Sequence, residues 1–116
     1  MRHEALKFLF DIREACDLIA EFTRGRSLEE YLGSALLRSA VERQFMIVGE
    51  ALFQALKVDP ALEHTITDAR RIVNFRHVMV HEYGMVQSDT VWGTVHGRLP
   101  ALRREVQALL VEAPPP

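Results

Sequence analysis

An arginine, two histidines and a tyrosine crowd into "RHVMVHEY", residues 76–83. A guanidinium is a planar fork of donors suited to a phosphate or carboxylate. An imidazole exchanges its proton near neutral pH and serves as general acid or base. Wound at about 100° per residue, Arg70, Asn74, His77 and His81 form one polar stripe. Ile72, Val73, Phe75, Met79 and Val80 form a broad apolar arc, and Arg76 and Tyr83 fall inside it. A guanidinium on an apolar face is costly unless it is paired or solvated. Either Arg76 reaches the bundle edge or a carboxylate such as Glu42 or Glu50, or this face is an interface or cleft that uses it. Five residues separate Arg76 from His81, a rotation of about 140° in a regular helix. Convergence of the two on one phosphate requires the helix to end or bend near His81, or two copies to meet across a two-fold axis.

Other chemistries find less support. His77 and His81 have a chelating spacing, but position 78 is valine, so H-E-x-x-H is absent and no third ligand suggests itself. No metal and no cofactor are expected. Neither a G-x-S-x-G elbow nor a phosphate-binding glycine loop occurs. Cys16 cannot form an internal disulfide, and its neighbours Ala15 and Ile19 place it in a core, which suits a reducing compartment. His3, His64 and His96 carry no motif.

The elements that must position these groups are helical. Apolar residues at 5, 8, 9, 12, 16, 19 and 22 mark one face of a first helix, His3 to Arg24, closed by Gly25. Ser27 and Glu30 form a capping box, and Gly33 interrupts the next segment. A long helix follows from about Ser34 to Val58, with Leu37, Val41, Phe45, Val48, Leu52 and Ala55 inward and Asp59-Pro60 as its stop. Gly49 in mid-helix suggests close approach of another backbone, and Glu50 beside it is placed to pair with Arg43 or Arg76. The motif helix runs from a Thr67 or Asp68 cap to about Tyr83, with Gly84 as its C-terminal cap. A segment from Ser88 or Asp89 and a last helix, about 99–112, complete the chain. No stretch alternates with period two, so the expected fold is an all-α bundle of four or five helices.

The 116 residues, nearly half of them apolar, suit one domain, residues 1–113, followed by a proline tail, 114–116. The formal net charge of −2 argues against a general nucleic-acid coat but leaves room for a local basic site. No run approaches a membrane span, and residues 1–24 are charged throughout, unlike a signal peptide. A cytoplasmic location is expected.

The spacing Arg76-x₄-His81-x-Tyr83 resembles the R-x₄-H-x-Y motif of HEPN-domain ribonuclease toxins of the HepT type, in the DUF86-like family. "ERQFMIVGEAL" (42–52) resembles that family's second long helix, and "VWGTVHGRLPAL" (91–102) its helix–proline–helix ending. The resemblance covers most of the chain. It implies a HEPN-like up-and-down bundle acting as a symmetric homodimer, and a metal-independent endoribonuclease with RNA as substrate. His81 would be the general base or acid and Arg76 the phosphate holder, with His77 and Glu50 in support. The products would be a 2′,3′-cyclic phosphate and a 5′-hydroxyl. It also implies a type VII-like toxin–antitoxin pair, in which a minimal nucleotidyltransferase antitoxin (MntA-like) blocks the site by transferring AMP to Tyr83. The alternative is a non-catalytic helical partner, the substrate-binding subunit of a two-component nucleotidyltransferase. A third possibility leaves Arg76 as a paired structural residue.

Overall fold

Each apolar stripe becomes the inner face of a helix in the computed structural model, which describes residues 3–82, 84 and 87–112. Among them are six α-helices and no strand: α1 (His3–Thr23), α2 (Leu28–Leu32), α3 (Ala35–Val58), α4 (Ala69–His81), α5 (Ser88–Gly97) and α6 (Leu99–Glu112). A 3₁₀ turn, Pro60–His64, joins α3 to the approach of α4. The bundle is therefore all-α, with α2 a short piece between the two longest helices. None of these helices is long and apolar enough to cross a membrane. The expected proline tail, 114–116, lies outside the described residues, and so does Tyr83.

The local signals act where the residue types place them. Gly25 takes φ +72° and turns the chain after α1, a left-handed conformation that costs glycine little. The capping box at α2 is complete: Ser27 Oγ accepts from the Glu30 N–H at 3.1 Å, and Glu30 Oε1 accepts from the Ser27 N–H at 3.0 Å. Ser34 caps α3 by accepting from the Leu37 N–H. Pro100 sits in the first turn of α6, where its missing N–H costs no helical bond.

Central α3 buries Leu37, Val41, Phe45, Val48, Leu52 and Ala55. It packs along α1 on one side and α4 on another, while α6 lies on α1 and α5. Asp17 of α1 accepts from Arg103 of α6 at 2.8 Å, and Arg13 donates to Gln107 at 3.1 Å, so polar pairs fix the edge of that contact. Fully buried Tyr31 of α2 packs on Trp92 of α5, ring centroids 5.2 Å apart. Cys16 is buried in the same core. Burial, with Asp17 adding to it, pushes its thiol up to about 12, which makes it unreactive at neutral pH.

Two helix-end expectations are corrected. Asp68 is the N-cap residue of α4, but it adopts φ +56°, makes no side-chain cap bond, and pairs instead with Arg98 at 2.5 Å. The tertiary charge outcompetes the local cap. At the other end α4 stops at His81, and Glu82 rather than Gly84 is its C-cap, its N–H donating to the Val78 carbonyl at 2.8 Å.

Candidate active site

Helix α4 packs mainly on α3. Its polar stripe is where the spacing predicts: Arg70, Asn74, His77 and His81 are exposed. Its apolar arc is only partly covered, since Ala69 and Met79 are its buried residues while Ile72, Val73 and Phe75 are half-buried. Val80 remains exposed.

Arg76 is half-buried on the α3 side, and Gly49 explains how it fits. A methyl group at Gly49 would stand 2.1 Å from Arg76 Cβ and 2.7 Å from Cγ, so the two helices meet here with no room for a side chain. The next residue of α3, Glu50, completes the arrangement. Its Oε2 lies 3.0 Å from an Arg76 terminal nitrogen, and its Oε1 accepts from Gln54 Nε2 at 3.1 Å. Glu50 thus pairs with Arg76 and not with Arg43. With side chains 26% and 47% exposed, the pair is a solvated edge contact and not a buried one. One guanidinium nitrogen is engaged, and the fork retains further N–H donors. Phe53, one turn beyond Glu50, and Val80, one turn beyond Arg76, leave exposed apolar surface flanking the pair.

His77 and His81 stack one turn apart, ring centroids 4.6 Å from each other and both open to solvent. His81 is the last helical residue. Arg76 and His81 share no hydrogen bond or ion pair among the described residues. The structure therefore brings Arg76 to Glu50 and His77 to His81, and leaves the two sets on different sides of one helix end. No group of three or more His, Cys, Asp or Glu side chains suited to a metal occurs among the described residues.

On the flank of α4 away from Arg76 lies a cleft lined in part by two residues of the polar stripe, Arg70 and Asn74. The N-terminal end of α4 is tied to α6 and to the end of α5: Thr67 donates from its N–H and hydroxyl to Glu105 of α6, and Asp68 pairs with Arg98, the C-cap of α5. Beyond this tie a cleft of about 590 Å³ opens between α4 and the α5–α6 pair, floored by Phe45, Val48, Phe75 and Leu102. Arg98, Thr90 and Thr94 line it too.

The family profile described as Ribonuclease HepT-like matches residues 12–109. The chain is 31% identical over 109 residues to "Probable ribonuclease HepT" of Thermococcus cleftensis, covering 94% of this chain and 98% of that one. It is 28% identical over 103 residues to "Putative RNase MJ1216" of Methanocaldococcus jannaschii, covering 89% and 84% of the two chains. No solved structure matches it.

Proposed function

Because the chain belongs to the HepT-like ribonuclease family, we propose that it is the toxin of a type VII-like toxin–antitoxin pair, a metal-independent endoribonuclease acting as a homodimer. The observation that carries this reading is the exposed His81 at the end of α4, a turn and a half past Arg76, in a chain of a ribonuclease family. In this reading an imidazole of His81 takes the proton of a ribose 2′-hydroxyl. The 2′-oxygen attacks the adjacent phosphorus, and the 5′-oxygen leaves with a proton returned by an acid, the His81 of the second copy. The products are a 2′,3′-cyclic phosphate and a 5′-hydroxyl. Arg76 stabilises charge on the phosphate oxygens, Glu50 holds its guanidinium, and His77 supports His81. Arg76 and His81 make no direct contact within one chain, and in this reading the two copies meet so that the motifs face each other across the two-fold axis. The exposed Phe53 and Val80 beside Arg76 give such an interface apolar surface.

Neutralisation is assigned to AMP transfer by a nucleotidyltransferase antitoxin: the deprotonated Tyr83 phenol oxygen bonds to the α-phosphorus of ATP, and pyrophosphate leaves as the α–β anhydride bond breaks. The added phosphate charge would then occupy the place of the RNA phosphate. The second reading, a non-catalytic subunit of a two-component nucleotidyltransferase, draws on the hold of Glu50 on Arg76. Purified protein incubated with RNA in EDTA separates the two: cleavage with cyclic-phosphate ends supports the toxin, and a tight nucleotidyltransferase complex without cleavage supports the subunit. Intact mass after co-expression, with peptide mapping of Tyr83, tests the modification.

A further inference from the structure

The cleft between α4 and the α5–α6 pair does not include Arg76 or His81, and its lining combines apolar, aromatic and cationic side chains. Its volume, about 590 Å³, is in the range of ligand pockets, and it has the usual make-up of an apolar floor with a few polar groups at the edge. Phe75 offers a ring to a base, held edge-on by Phe45 with centroids 5.6 Å apart at 66°. A fixed aromatic ring suits any base, since every base has a π-face. The Asn74 side chain makes no hydrogen bond among the described residues, so its amide has both a donor and an acceptor to offer a base edge.

Charge points the same way. Three arginines line the cleft in a chain whose formal net charge is −2. Arg70 is matched by Glu63 at 2.8 Å and Arg98 by Asp68 at 2.5 Å, whereas Arg71 is exposed and pairs with no acid among the described residues. The uncompensated positive charge at an apolar cleft selects a ligand with a flat apolar body and an anionic end. Position on the helix supplies the last link. Asn74 and Val78 line the cleft, and His81 follows Val78 by one turn on the same side of α4.

We propose that this cleft holds one unstacked nucleotide of a single-stranded RNA substrate next to the scissile phosphate, its base on Phe75 and its phosphate on Arg71. The proposal rests on the ribonuclease reading above and adds to it where the strand lies and why an unpaired strand is chosen.

The test is steady-state cleavage of short single-stranded oligoribonucleotides by the full chain, with Arg71→Gln, Asn74→Ala and, as a control, Arg104→Gln, an exposed arginine of α6 outside the cleft. Loss of one charged contact made equally in ground and transition states raises KM and spares kcat. Arg71→Gln is expected to raise KM about tenfold with kcat within about twofold, and Asn74→Ala to alter the preference among bases, while Arg104→Gln changes neither. An abasic residue beside the cleavage site is expected to raise KM for the wild type. Equal effects of Arg71→Gln and Arg104→Gln, or an abasic substrate cut with unchanged KM, overturn the nucleotide site while leaving the ribonuclease reading intact. A wild type that cuts no RNA overturns that reading and this proposal with it. Far-UV circular dichroism of each variant confirms that the exposed substitutions leave the fold in place.

Discussion

Gly49 of α3 and Arg76 of α4 meet so closely that no side chain fits between them: an added methyl would lie 2.1 Å from Arg76 Cβ. Because Cβ is anchored to the backbone, it cannot swing aside as the end of a flexible chain can. Helix propensity alone favours Gly49→Ala by about 1 kcal/mol. The overlap reverses that sign, and the variant is expected to lose about 1–3 kcal/mol of stability in urea unfolding. It should also push α4 away from Glu50 and lower RNA cleavage. A more stable Gly49→Ala protein would show that the helices do not meet here.

Arg76→Met separates structure from chemistry. The Arg76–Glu50 pair is partly solvated on both sides, and such pairs contribute about 0–1 kcal/mol after screening. The variant is expected to unfold within about 1 kcal/mol of wild type yet lose RNA cleavage. Full activity in Arg76→Met would make the arginine a packing residue of the α3–α4 contact.

The α2 capping box predicts an acid response. The Ser27 backbone N–H, then the Ser27 hydroxyl, hold the Glu30 carboxyl below its ordinary range. A lowered folded-state pKa contributes stability above the ordinary glutamate value, and this is lost as pH falls through the lowered one. Glu63, held down by its hydrogen bond from Arg70, acts in the same window and sign. Thermal melts taken from about pH 7 to about pH 3 should therefore show a shallower acid fall for Glu30→Gln than for wild type. An unchanged acid limb in that variant would remove the capping box from the account.

What could be read from residues and what could not divide along a physical line. Leu9, Ile12 and Ile19 in α1 and Val41, Val48 and Leu52 in α3 are fully buried, because helical periodicity states burial directly. Gly25 and Ser27 act within a few residues of chain, so their roles were legible too. The pairing of Arg76 with Glu50 was open between two acids, and only the α3–α4 packing chooses. Asp68 leaves its expected capping role because Arg98, thirty residues on, competes for its carboxylate. The cleft beside α4 depends on α4 leaning on α3 while Thr67 and Asp68, just before its first turn, are held by Glu105 and Arg98. No local pattern encodes that.

The central claim is that His81 performs acid–base chemistry on RNA. Its exposed side chain at the end of α4 means that His81→Ala should leave the fold and its unfolding midpoint nearly unchanged. The direct measurement is cleavage of total RNA by the wild-type protein and His81→Ala at equal concentration, with end-group analysis of the fragments. The account predicts cyclic-phosphate ends from the wild type and a loss of at least about a hundredfold in rate for the variant. Equal cleavage by a folded His81→Ala protein would contradict it.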